Sequence, residues 1–168
     1  MNSINNIIAD FQNIKSKIIY SKMDFSSEID IDNTTSYDYA IDYDVIDSKL
    51  EHLEYEEVSV DFYTGEIKFY LKLYEISNQK YKSPSFKNIK PFIEVISTGT
   101  FAGNANVLDK DMFDRMLVQN GLTYLSQFVR VHLLAITSTI GISGNFSLPM
   151  INIVQFMREK DKEKSKNR

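Results

Sequence analysis

VSVDFYTGEIKFYLKL, residues 58–73, alternates apolar and polar side chains over most of its length, and how it is read decides the class of fold. Val58, Val60 and Phe62 alternate with Ser59 and Asp61, and Ile67, Phe69, Leu71 and Leu73 alternate with Lys68, Tyr70 and Lys72. A period of two is that of a β-strand with one buried and one wet face. Between the two runs, Tyr63-Thr64-Gly65-Glu66 has the composition of a tight reversal, with glycine able to take the conformations that such turns demand. The stretch is therefore read as two strands joined by a hairpin turn at 63–66.

Toward the N-terminus the same period recurs. Tyr37, Tyr39, Ile41, Tyr43 and Val45 alternate with Asp38, Asp42 and Asp44, which predicts another half-wet strand. Farther back, Ile4, Ile7, Ile8, Phe11, Ile14 and Ile18 fall at spacings of three and four, the stripe of an amphipathic helix, so a helix is expected over about residues 4–16. A strand beginning near Lys17 follows it.

Toward the C-terminus, SNQKYKSPSFKNIKP at 77–91 carries two prolines and several lysines and is read as a crossing loop. Phe92–Phe101 is the last strand. Beyond Gly103 the period becomes helical, giving one helix over Leu108–Gln119 and a longer one over Leu122–Ile140. Leu122, Leu125, Val129, Leu133, Ile136 and Ile140 form the apolar stripe of the second. Asn120-Gly121 is read as the break between them. Gly141, Gly144 and Pro149 end the helical region, and residues from 160 on form a charged, low-complexity segment expected to be disordered. Strands in succession followed by helices make an α+β order, not the strict alternation that builds a parallel sheet.

Composition narrows the function. The 168 residues have no cysteine, which excludes disulfides and thiolate metal sites, and the only histidines are His52 and His132. His132 lies mid-helix between Val131 and Leu133 and reads as a hydrogen-bonded, partly buried residue, whereas His52 sits in a charged stretch and reads as a surface one. No nucleophile therefore has an evident histidine base. The glycine turns at 99–103 and 141–144 lack the spacing of a phosphate cradle, and the aspartates between 30 and 47 lack the glycine and terminal glutamate of a calcium loop. No cofactor or metal is expected. Residues 24–61 hold thirteen acidic residues against the single Lys49, a charge that repels nucleic acid. The first residues lack the pattern of a secretory signal and no apolar run is long enough to span a bilayer, so a cytoplasmic location without membrane insertion is expected. Eleven Phe and ten Tyr without a Trp are the remaining unusual feature. A sheet bearing Tyr37, Tyr39 and Tyr43 on one face could present an apolar surface to a protein partner.

The stretch from Ile93 to Met157 carries a resemblance to a known family. Glu94-Val95, then Gly99-Thr100-Phe101, then two helices with Arg130 in the second, then Gly144-Asn145-Phe146 and Leu148-Pro149-Met150-Ile151-Asn152 resemble the C-terminal half of the SecB-type chaperones, and Ile19-Tyr20-Ser21-Lys22 is similar to the start of that family's first strand. The resemblance implies an antiparallel, Greek-key-like sheet of four strands with the C-terminal helices packed on one face. It also implies a homotetramer built as a dimer of dimers, and an ATP-independent holdase, not an enzyme, that keeps unfolded or non-native polypeptides in long apolar grooves. Export clients or the antitoxin of a toxin pair are the clients considered. By position, Phe25, Tyr39, Tyr43, Phe92, Phe101, Phe128 and Leu133 are the expected client-binding residues, and Glu94 is the expected residue of an acidic patch that docks the SecA motor. Here the pattern departs from the family: Met23 and Ser27 stand where acidic residues would align, and Asp24 and Glu28, one residue away, point to the opposite face of a strand. One SecB-like domain over residues 1–157 and a charged tail over 158–168 complete the expectation. A module that binds one folded partner is the second reading, and an enzyme working through carboxylates the third.

Overall fold

The computed structural model describes residues 10–24, 37–55, 58–76, 86–139 and 148–166. Four strands, β1 (Phe11–Met23), β2 (Tyr37–Tyr55), β3 (Val58–Glu75) and β4 (Ile93–Asn104), precede two helices, α1 (Lys110–Thr139) and α2 (Ile153–Lys166). All neighbouring strands are antiparallel and the sheet order is β1-β4-β3-β2. The first strand thus returns beside the last, which is the Greek-key arrangement. The fold is α+β, with α1 laid across one face of the sheet.

Alternation of side chains explains why that face is dry. On β3, Ile67, Phe69, Leu71 and Leu73 point toward α1, and on β4, Ile93, Val95 and Phe101 do the same; all are buried. They meet Phe113, Leu117, Leu122, Leu125, Val129 and Leu133 of α1. Asp109 caps the helix by accepting the N–H of Met112 at 2.7 Å, and Asn152 does the same for α2 through the N–H of Gln155 at 3.0 Å.

The opposite face of the sheet is polar. Lys68, Tyr70 and Lys72 of β3 pair with Asp44, Asp42 and Ala40 of β2 and with Thr98, Ile96 and Glu94 of β4. Over it lies a 3-10 turn at Phe86–Asn88 in the expected crossing loop, with Lys72 Nζ 4.6 Å from the centre of the Phe86 ring.

Four expectations are corrected. Residues 11–16 belong to β1 and not to a helix, while the earlier part of the expected helix lies outside the described residues. The helical spacing comes from two bulges, between Asn13 and Lys15 and between Ile18 and Tyr20. Each bulge inserts one residue and reverses the alternation. Phe11, Ile18 and Met23, seven and five apart, consequently share the face that packs on the core, while Ile14, at the first bulge, is 61% exposed.

No turn occurs at 63–66. Strand β3 runs straight through Gly65, and the chain reverses between Tyr55 and Val58, which pair with each other. Gly65 is glycine because α1 crosses it: a Cβ there would lie 2.5 Å from Leu117 Cδ2. Nor does Asn120-Gly121 break the helix. Lys110–Thr139 is one helix of 30 residues, and Gly121 is a point where it lies close on the sheet, its Cβ position 3.3 Å from both Ile67 Cγ2 and Phe101 Cε2.

Gly121 offers a graded test. Alanine at 121 gains about 1 kcal/mol of helix propensity against a slight crowding, so Gly121→Ala is expected to stay within about 1 kcal/mol of the parent in urea unfolding. Gly121→Leu forces its branch into Ile67 and Phe101 and is expected to cost about 1–3 kcal/mol. Equal stabilities for the two variants would disprove the close approach.

The charged C-terminal segment is also ordered differently from expectation. Helix α2 runs through the boundary expected at 157/158 and into residues read as a disordered tail. Lys160 explains its seat: the ammonium lies 3.9 Å over the Tyr43 ring, pairs with Asp42 and reaches the Tyr43 carbonyl. One turn earlier, Phe156 meets Tyr43 edge-on at 5.7 Å.

Candidate functional site

Helix α1 is apolar on two sides. The stripe at Leu122, Leu125, Val129 and Leu133 faces the sheet, and a second stripe at Tyr124, Phe128, Val131 and Leu134 faces away from it. Spacings of four and three keep the second set on one face of a helix. Such a helix needs cover on both sides or presents an apolar surface. Among the described residues nothing covers the outer stripe: Val131 is 65% exposed and Tyr124 43%.

Tyr124, Phe128 and Val131 of this stripe, with Asn120, Thr123 and Gln127, line an open groove of ≈ 520 Å³. Its floor is rigid. Tyr124 stacks on Phe128 with ring centres 6.5 Å apart and 14° between planes, and meets Phe101 edge-on at 6.0 Å, which ties the groove to the core. Its rim is polar and braced. Gln127 accepts a hydrogen bond from Arg130 at 2.8 Å, and Arg130 Nε donates to the Leu148 carbonyl at 2.8 Å. That bond holds the segment after α1 beside the groove, where Met150 stands 78% exposed.

No family model matches the sequence, and no curated protein matches it. Among solved structures, the fold is similar to that of the Mycobacterium tuberculosis Rv1957 SecB-like chaperone, solved in complex with a ChAD peptide from the Rv1956 HigA1 antitoxin. The match covers 85% of this chain and 91% of that one, at 8% sequence identity and a TM-score of 0.46.

Of the residues expected to bind clients, Phe128 lines the groove and Tyr39 packs on the core from a partly exposed position on β2. Tyr43, Phe92, Phe101 and Leu133 are buried core residues, and Phe25 lies outside the described residues. Glu94 is on the polar face, where Lys72 approaches it at 3.7 Å, far round the sheet from the groove. Tyr124, Val131, Asn120, Thr123 and Gln127 were not expected. The signal for Tyr124 and Val131 was present in the sequence as a second apolar stripe on a helix already credited with one.

The histidines contribute no chemistry to the groove. His52 is exposed on the β2–β3 ribbon, where the carboxylates of Asp61 at 2.6 Å and Glu54 at 3.2 Å accept hydrogen bonds from its ring and raise its pKa. His132 contacts Ser21 of β1 through Nε2 at 3.1 Å, and burial lowers its pKa below the usual imidazole value. A lowered folded pKa means that the unfolded chain binds the extra proton more readily. The contribution is therefore intact above the unfolded pKa of about 6.5 and is lost as pH falls from there through the folded value. The imidazole proton resonances of His132 are expected to titrate below those of His52, and His132→Gln should flatten stability against pH in that window. A His132 midpoint at or above that of His52 would contradict the burial. Among the described residues, no group of three or more His, Asp or Glu side chains is arranged to hold a metal ion, and no helix is long and apolar enough to cross a membrane.

Proposed function

We propose that this protein is an ATP-independent holdase that binds non-native polypeptides on the outer face of α1. The observation that carries the reading is the groove of Tyr124, Phe128 and Val131, an aromatic and aliphatic floor with side-chain amides from Asn120 and Gln127 at its rim. Apolar floors bind without strong directional demands, so they accept many sequences. Rim amides can take up main-chain groups of an extended segment, whose unpaired polar atoms would otherwise lose water at a cost. Binding of this kind needs no covalent step and no nucleotide.

The finer parts of the proposal follow the sequence reading. The chain acts as a single SecB-like domain in the cytoplasm and assembles as a dimer of dimers. Its clients are export precursors or, alternatively, the antitoxin of a toxin pair. Docking to SecA would rest on Glu94 alone, which is paired with Lys72.

The test is direct. Purified full-length chain, mixed at stoichiometric amounts with a chemically denatured protein diluted into buffer without nucleotide, is expected to suppress light scattering and to form a complex resolved by size-exclusion chromatography. Aggregation at the rate of the client alone would overturn the proposal. Tight binding of one folded protein, with no effect on unfolded ones, would favour an assembly module.

A further inference from the structure

Strand β2 is an outer strand of the sheet. Outer strands present unpaired N–H and C=O groups that can template the addition of another chain. Along Tyr37–Asp44 three of these groups, at Tyr39 and Tyr43, are already occupied. Asp38 Oδ1 accepts the N–H of Tyr39 at 2.8 Å, and Asp42 Oδ1 accepts the N–H of Tyr43 at 2.8 Å. The carbonyl of Tyr43 accepts a hydrogen bond from Lys160 of α2. The N–H and C=O of one antiparallel-strand residue point to the same side, so Tyr43, with both groups bonded outside the β2–β3 ladder, faces the free edge.

Each guard is itself held. Asp38 accepts the Tyr74 hydroxyl at 3.2 Å through its second oxygen, and Lys160 is fixed by Asp42 and by the Tyr43 ring, with its side chain only 16% exposed. Charge acts in the same sense. Antiparallel pairing of two β2 strands about Ile41 would set Asp38 of one copy opposite Asp44 of the other, and like charges in that position repel. The other outer strand is managed differently, with two bulges and with Lys15, Lys17 and Lys22 along it.

We infer that Asp38, Asp42 and Lys160 close the edge of β2 to a second copy of this chain, and that α2 serves as the clasp of that edge. The acidic run of β2 is then a device for keeping strands apart. It does not depend on whether the groove of α1 binds polypeptides.

The experiment compares the full chain with the triple variant Asp38→Ala/Asp42→Ala/Lys160→Ala by light scattering across a concentration series, with hydrogen exchange read on β2. The triple variant is expected to gain mass with concentration beyond the parent, with β2 amides protected in the enlarged species. An unchanged mass, or a gain in mass without protection of β2, would overturn the inference. Asp38→Ala alone supplies a local reading that general unfolding would not mimic. It is expected to speed exchange at Tyr39 by tenfold or more while leaving Tyr43 as in the parent, and equal exchange at both positions in variant and parent would likewise count against it.

Discussion

Phe101→Ala is expected to destabilise the protein by about 3–5 kcal/mol, the range for truncating a buried aromatic ring that leaves a cavity. Phe101 is 1% exposed and sits in a slot whose walls are two glycines. Cβ atoms at Gly99 and Gly121 would meet its ring at 2.8 Å and 3.3 Å. Phe11 stacks on one side at 5.4 Å, and Tyr124 meets it edge-on at 6.0 Å. Glycine walls have no side chains that could lean into the space left by the ring, so the cavity would collapse poorly and the cost should lie toward the upper end. For a chain of this size such a loss corresponds to a fall in Tm of about 10 °C. Phe101→Leu, which refills most of the slot, is expected to cost less than half as much. Calorimetry or urea titration of the two variants decides the matter. A loss below about 1 kcal/mol for the alanine variant would mean that the slot closes, contrary to the glycine argument. Because Phe101 supports Tyr124 from below, the alanine variant would also disturb the groove, and its binding behaviour would report on the fold.

Gly65 and Gly121 show where the sequence could be read and where it could not. Alternation at 37–45 and 67–73 announced β2 and the second part of β3, because each of these segments has one face on the core and one on the polar side, and the last strand was placed at 92–101, where β4 runs. Gly65 and Gly121, however, were read as a turn and a helix break. A glycine required by the approach of another element looks the same in one dimension as a glycine required by a turn. Only the crossing of α1 over β3 separates the two cases. The first part of β1 was hidden for a related reason: its bulges put Phe11, Ile18 and Met23, seven and five apart, on one face, while Phe11, Ile14 and Ile18, three and four apart, imitate a helical stripe although Ile14 is exposed. Helix α2 was hidden by its composition, since the tertiary contacts that hold it rest on Phe156 and Lys160, and the second of these stands in a run of charge that reads as solvated.

The site was less legible than the fold. Selecting aromatic residues by type favours the core, because large rings bury the most apolar area, and Tyr43, Phe92 and Phe101 are found there. The groove depends instead on which face of α1 a residue occupies. Tyr124, Phe128 and Val131 could have been separated from the core stripe by their phase on the helix.

That phase gives the second large expectation, a loss of binding without a loss of fold. Val131→Asp places a charge at the mouth of the groove, at a position 65% exposed, where the native state tolerates a polar side chain at a cost within about 0.5 kcal/mol. A bound apolar segment would have to desolvate that carboxylate or withdraw from the valine's surface. Losing the burial of one such side chain, roughly 1.5–2 kcal/mol, corresponds to a fall in affinity of about tenfold to thirtyfold. Adding Gln127→Ala removes a rim amide and also frees Arg130 from one of its partners, so the double variant is expected to bind more weakly still. Fluorescence anisotropy with a labelled, permanently unfolded polypeptide reads the affinity, and thermal unfolding read in parallel checks the fold. As a control, Lys17→Asp alters an exposed residue on the polar face of the sheet and is expected to leave affinity within about twofold of the parent. If Val131→Asp binds as the parent does while retaining its Tm, polypeptides bind elsewhere on the molecule; if affinity falls and Tm holds, the outer stripe of α1 is the surface that receives them.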